Sequence, residues 1–400
     1  MGSTRRSIAV FGALTVMCIS SPGQTFVISN FTEAIGGSLD LEASDLAAAY
    51  LIGTLASAAS LTHAGRLADR IGPRYLAAVA SVGLALAGFA LSRAAGFVSL
   101  AAAFYLLRFF GQGVLTLSSS HALALRFDAK LGSVEGIKGA TFSGAIAAAP
   151  QIAVALIESH GWREAAWRMS AGAGLIGLFA AFVLLDKDPK KKPLASAADA
   201  AADAITTPTE PSFTLSEARR TRAFWILVGS SSYLGAGLTA VHFLLQTLLG
   251  EAGLGEEVAA ATFVSFAASG LLSTLVGGVL VDRKEPARIL ATGLVLLLIG
   301  MAGTALAPTP VLAHAGMAAL GIGHGLMGAV GGTTLARFFG RAHHGAIRGA
   351  SSTAVVTGAA LGPYLAGVLA GFVGGYSNAV VVMTLAALPL PFLAWTLRRP

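Results

Sequence analysis

Long apolar runs dominate the chain, and short polar segments separate them. A helix needs about 20 mainly apolar residues to cross the hydrocarbon of a bilayer. Runs of that kind predict twelve spans. The first six fall roughly at 7–29, 45–63, 75–92, 97–124, 135–157 and 165–185. The second six fall roughly at 222–249, 258–281, 288–307, 311–338, 346–372 and 377–396. Closed β-barrels also span membranes, but their strands alternate over about 10 residues. The pattern therefore predicts an all-α membrane protein. The apolar stretch after Arg5 and Arg6 continues past Pro22 through Phe26, Val27 and Ile28. It reads as a retained first span, not a cleaved leader. Segment 186–221 interrupts the pattern, opening DKDPKKKP and staying polar and proline-broken. It reads as a flexible linker. Within it, Thr214-Leu215-Ser216-Glu217 has the spacing of a capping box and predicts a short surface helix. Three units follow: a six-helix bundle over 1–185, the linker over 186–221, and a second six-helix bundle over 222–400.

Composition sharpens this picture. Apolar residues make up 55% of the 400 and charged residues 12%, against about 25% charged in a soluble domain. Mean hydropathy is +0.73, which argues against a soluble enzyme. The single cysteine, Cys18, rules out a disulfide framework and a cysteine-rich metal site. Net charge is +7, and its distribution explains it. With the N-terminus inside, all but four of the 27 lysines and arginines fall in inner segments; the four are Arg93, Arg108, Arg163 and Arg168. That is the positive-inside asymmetry, and it places both termini in the cytoplasm. The basic balance needs no nucleic acid.

The two halves repeat. GRLADRIGPR at 65–74 matches GVLVDRKEPA at 278–287, with Gly65 and Gly278, Asp69 and Asp282, and Arg70 and Arg283 each 213 apart. RFDAKLGSVEGIKGA at 126–140 matches RFFGRAHHGAIRGA at 337–350, with the offset drifting to 210. Two related six-span halves are a common build for secondary transporters.

GRLADRIGPR resembles the loop signature of the major facilitator superfamily between spans 2 and 3. Pro73 replaces its first final basic residue, and Arg74 keeps the second. The degenerate copy at Gly278–Arg283 lies where this family has it. LLRFFGQG at 106–113 resembles the family's arginine-and-glycine motif in span 4, and Gly358-x3-Gly362-Pro363 resembles its glycine–proline motif. Gln24-Thr25-Phe26 and HHGAIRGA resemble a bacterial branch, distantly similar to monocarboxylate and oxalate carriers. The resemblance implies a twelve-helix, two-bundle fold in the inner membrane, working as a monomer without a cofactor. It also implies that spans 1, 4, 7 and 10 line a central cavity.

Candidate site residues fall into two groups. Gly65, Asp69, Arg70, Arg74, Gly278, Asp282 and Arg283 form a gating set, with Arg126 and Arg337 at matched distances beyond the two aspartates. Such a cluster, formed in one state and broken in another, would set the balance between inward-open and outward-open forms. For the substrate and ion path, all 20 acidic residues can be placed in loops or at span ends. The deep ionisable residues are Arg108, His121, His242, His314 and His324. A cavity with a guanidinium and imidazoles but no carboxylate suits an anion. Arg108 either grips a substrate carboxylate with its planar fork or bonds to span 1 as a structural motif. Gly235, Thr239, His242 and Gln246 form a polar stripe at helical spacing on span 7. His242 could also carry a proton. The expected site holds Arg108 and Gln24 on one side and His242 and Gln246 on the other, with His324 on span 10. No metal spacing is present, and no glycine run has the strand–turn–helix context of a nucleotide site. The leading reading is a secondary transporter of a small organic anion, driven by protons or by exchange. An efflux carrier for neutral or lipophilic compounds is the alternative, and a sensor of transporter fold is a third.

Overall fold

A computed structural model describes residues 2–127, 129–185 and 212–400. The predicted linker lies outside the described residues over 186–211. Nine described helices are long and apolar enough to cross a membrane. Two of them, Ala43–Ser92 and Leu131–Leu184, are too long for single spans. Fifty residues of straight helix would measure about 75 Å, against about 30 Å of hydrocarbon. Each breaks at a glycine with positive φ, Gly72 and Gly161. Together with a bent first span, this makes twelve.

The spans are labelled in chain order. α1 comprises Ser7–Gly23 and Thr25–Leu39, bent by 43°. α2 and α3 cover 43–71 and 73–92, and α4 is Phe97–Ala124. α5 and α6 cover 131–160 and 162–184. α7 is Arg222–Glu251, α8 Glu256–Arg283, α9 Pro286–Ala305, α10 Pro310–Phe339 and α11 His344–Val373. α12 is Tyr376–Trp395, and its last part restarts at Pro389.

Three spans differ from the expected limits by four residues or more, and one is α2, which runs to residue 71 instead of 63. α1 does not end near residue 29 but passes a break and continues to Leu39. A one-turn 3-10 segment, Ser21–Gly23, carries Pro22 and sets the bend. α5 begins at Leu131 rather than near 135. That four-residue difference draws Glu135 inside a helix.

Packing follows the halves. One buried apolar cluster draws only on residues between Val16 and Leu185, and another only on residues between Leu215 and Leu397. Small clusters bridge them, such as Ala58 and Leu61 of α2 with Val356 of α11. The outer surface is apolar: Phe372 is 83% exposed and Leu175 70% exposed, as lipid-facing side chains are. Thr214 and Glu217 form the expected capping box. The Thr214 N–H donates to Glu217 Oε2 at 2.7 Å, and the Glu217 N–H donates to Thr214 Oγ1 at 3.3 Å. The helix it starts is one turn long, Leu215–Ala218.

Candidate functional site

The two signature aspartates lie on one face of the bundle and reach across it. Asp69, in the last turn of α2, accepts the backbone N–H groups of Gly345 and Ala346 at 2.7 and 2.8 Å. Those are the second and third residues of α11. Asp282, at the end of α8, accepts the N–H groups of Gly132 and Ser133, both at 2.8 Å. Those are the second and third residues of α5. Each half thus caps a helix of the other. The four orphan N–H groups of a helix start carry partial positive charge, so a carboxylate there is stabilised twice over. Gly132 and Gly345 are 213 apart, like the aspartates themselves.

Glycine makes these contacts possible. Gly65 packs on the Gly345 carbonyl, and Gly278 packs on that of Gly132. A Cβ on any of the four would strike its partner's backbone. The signature glycines therefore serve close approach between halves.

The basic members of the motif divide. Arg337 donates to Asp282 Oδ1 at 2.5 Å and to the Val281 carbonyl at 2.7 Å. Arg74 donates to the Phe182 carbonyl at 3.0 Å and lies over the Phe182 ring, tying α3 to α6. Arg70 and Arg283 are exposed, and Arg126 is half-buried. Near Asp69 the structure adds a pair that local spacing did not suggest. His121 of α4 and His344 of α11 stack with Nδ1 atoms 3.2 Å apart. His121 Nε2 lies 4.0 Å from Asp69 Oδ1. These histidines are 223 residues apart, so only a topology could have joined them.

Arg108 lies against α1. It is 3% exposed, donates from Nη1 to the Gly23 carbonyl and to Thr25 Oγ1, both at 3.2 Å, and sits over the Tyr50 ring. The break in α1 frees the Gly23 carbonyl, and Arg108 supplies a donor for it. α4 adapts to this contact by winding as a π-helix over Arg108–Leu115. Gly23 and Gly111 face each other so closely that neither could carry a Cβ. Gln24 is also buried, and its Nε2 donates to Ser20 Oγ at 3.3 Å.

The second half holds its own polar group. His242 of α7 packs edge-on against Phe266 of α8 with centroids 4.5 Å apart, and His324 of α10 lies 5.8 Å beyond on the same ring. His242 Nε2 and His324 Nδ1 are buried without a hydrogen-bond partner among the described residues. Gln246 is exposed. His314 is tied to Ser265 at 2.7 Å. No hydrogen bond among those described joins the Arg108–Gln24 side to the His242–Gln246 side.

One expectation needs correction. A carboxylate does lie inside a span. Glu135 of α5 is 7% exposed, and its Oε2 accepts from Lys138 Nζ at 2.5 Å. Lys138 also donates to Ser120 Oγ of α4 at 2.5 Å. Arg348 of α11 donates to the Gly331 carbonyl of α10. The apolar-run limits placed residue 135 at the end of the span, but α5 starts one turn earlier.

A sequence profile of the Major Facilitator Superfamily matches residues 13–318 and 243–400. No curated protein matches the chain. Among solved structures, the proton:xylose symporter XylE bound to 6-bromo-6-deoxy-D-glucose is similar at 16% identity and a TM-score of 0.72, over 99% of this chain and 96% of that one. A double-tryptophan variant of XylE is similar at 17% identity and a TM-score of 0.75, over 100% and 97%. The Escherichia coli fucose:proton symporter FucP follows at 14% identity and a TM-score of 0.70, over 98% and 99%. At these identities the structures speak for the fold, while the profile covers the chain from span 1 to its end: the chain belongs to the major facilitator superfamily, a family of transporters and not of enzymes.

Proposed function

We propose that the protein is a secondary transporter that moves a small organic anion by alternating access between the 1–185 and 222–400 bundles. The observation that carries alternating access is the reciprocal latch of Asp69 on α11 and Asp282 on α5. Both contacts are made between halves and on one face, so that face is closed. Opening it must break both. On the positive-inside reading this is the cytoplasmic face of a bacterial inner membrane, with both termini on that side. Residues 186–221 are the linker between the bundles.

The anion reading rests on charge. Arg108, Lys138 and Arg348 lie within spans, and Glu135 is an acid beside Lys138 and Arg348 but not beside Arg108. An excess of buried positive charge is costly in hydrocarbon unless a bound anion balances it. Arg108 is tied to α1 through Nη1, which donates to Gly23 and Thr25, while its buried Nε has no hydrogen-bond partner among the described residues. Gln24, His242, Gln246 and His324 contribute neutral polar groups along the path, and His242 is the candidate proton carrier. A monocarboxylate agrees with the resemblance to monocarboxylate and oxalate carriers.

A neutral solute is the second reading. It is favoured by the docking of Arg108 against α1 and by fold neighbours that carry sugars with protons. Uptake into proteoliposomes separates the two. Carboxylates and sugars are offered in turn, with and without an imposed pH gradient. We expect carboxylate uptake that responds to the gradient or to internal anion. Sugar uptake without carboxylate uptake would overturn the anion assignment and leave the transporter fold untouched.

A further inference from the structure

We infer that Arg348 and Lys138 form a carboxylate-binding site at the inner end of the transport path, with Glu135 as its built-in competitor. The inference rests on the anion reading above and assigns it residues. Three charged side chains meet there from both halves. Counted from the first residue of each helix, Glu135 is the fifth of α5 and Arg348 the fifth of α11. They are 213 apart, like the latch aspartates, so they occupy matched places in the two halves with opposite charge.

The arrangement is unbalanced. Glu135 gives Oε2 to Lys138, while its Oε1 is buried without a hydrogen-bond partner. Its carboxylate lies against span α10 of the other half, where a Cβ on Gly332 would sit 3.0 Å from Oε2. Two cations share this one anion. A buried charge without a counter-charge is expensive, and a second carboxylate would neutralise the group. Glu135 keeps its Oε2 on Lys138, three residues along its own helix, and makes no described hydrogen bond to Arg348.

Space and access support a ligand. Arg348 is half-buried, whereas Glu135 and Lys138 are buried. Next to its acceptor Gly331, Gly328 is exposed and faces open space, with nothing within 4 Å of an added Cβ. A Cβ on Gly331 would meet only Ser231 Oγ of α7, at 3.8 Å. An incoming carboxylate can therefore approach Arg348 between α7 and α10. Arg348 has its Gly331 bond on Nη1, and the planar fork offers further N–H groups to a carboxylate. The anion then lies between α5 and α11, the two helices that the latch caps.

The test uses the purified full-length protein in detergent. Thermal unfolding is followed with formate, lactate, oxalate and malonate as probes and xylose as the neutral control. We expect at least one carboxylate to stabilise the wild type. Arg348→Gln and Lys138→Gln should weaken its apparent affinity at least tenfold. Glu135→Gln should tighten it several-fold, because the internal competitor loses its charge. A merely structural ion pair predicts the opposite sign for Glu135→Gln. Should a single variant fail to fold, Arg348→Lys and the double variant Glu135→Gln with Lys138→Met keep the comparison open. The first keeps charge without a fork, and the second removes the Glu135–Lys138 pair together and leaves Arg348 to bind the carboxylate. If the wild type binds a carboxylate and all variants bind it equally well, the site is wrong and the anion reading stands. If the wild type responds to xylose or to none of the carboxylates, both fall.

Discussion

At the scale of single residues, Arg108 shows how one side chain can be legible as important and still ambiguous in role. A lone guanidinium inside an apolar run must have a partner, and that much is readable in the sequence. Which partner it finds depends on the break in α1, which leaves the Gly23 carbonyl without a helical donor. The RFFGQG spacing carries no sign of that break, nor of the π-helical winding that seats Gly111 on Gly23. The role of Arg108 as a brace makes a specific prediction. Arg108→Lys keeps the charge but loses the planar Nη1 group that donates to both Gly23 and Thr25. We expect it to lower stability by about 2 kcal/mol, read as a lower unfolding temperature, with little change in the half-saturation concentration for uptake. A tenfold rise in half-saturation at unchanged stability would make Arg108 a substrate ligand instead. Glu135 illustrates the opposite case. The apolar run places it at the end of a span, and one further helical turn at the start of α5 buries it in the protein. Hydropathy blurs span ends in this way because the first turn of a helix tolerates an acid whether it faces solvent or a partner.

At the scale of elements, the apolar runs made the twelve spans legible, because nothing else in a protein needs about 20 apolar residues in sequence. The signature loops were legible as a repeat. Their target was not, since Asp69 lies 276 residues from Gly345 and Asp282 lies 150 from Gly132. Capping of a helix start by a side chain is worth about 0.5–2 kcal/mol. Asp69→Asn and Asp282→Asn each remove the charge facing a helix start and turn one charged acceptor into a donor, and should cost the closed state about 1 kcal/mol, shifting the ratio of states about fivefold. Distances between spin labels on the two halves at this face should lengthen accordingly. Unchanged distance distributions in both variants would remove the aspartates from the gate. The one-turn helix Leu215–Ala218 offers a check by pH. Hydrogen bonds from the Thr214 backbone and then its hydroxyl hold the exposed Glu217 carboxyl below its usual range. A carboxylate lowered by folding stabilises above the ordinary range, near 4.3, and that contribution is lost as pH falls through the depressed value. Amide exchange at 214–218, corrected for its intrinsic pH dependence, should therefore stay flat at neutral pH. Protection should weaken only in the acid range. Loss of protection between pH 6 and 8 would show that the Glu217 carboxylate does not hold this helix.

At the scale of the whole molecule, two apolar cores drawn from separate halves meet through small residues and a few polar contacts, and this makes rigid-body rocking the natural motion. Packed cores resist deformation, whereas capping bonds and glycine contacts can part and reform at small cost. The interface of α2 and α11 is where that motion can be arrested. Thr62 of α2 and Thr353 of α11 hold their hydroxyls 3.3 Å apart, and Thr353 also donates to the Ala58 carbonyl at 2.7 Å. Side-chain atoms this close lie near the spacing a disulfide can bridge. In a background with Cys18→Ser, which removes the native thiol, the pair Thr62→Cys and Thr353→Cys should oxidise readily in the closed state. Transport should then stop, because the halves cannot separate on this face, and reduction should restore it. Either single cysteine should transport normally under the same oxidant, which separates the cross-link from damage to α2 or α11. Full transport by a demonstrably cross-linked protein would show that this face need not open. The rocking of the two bundles about the latch would then have to be abandoned, even with the fold and family unchanged.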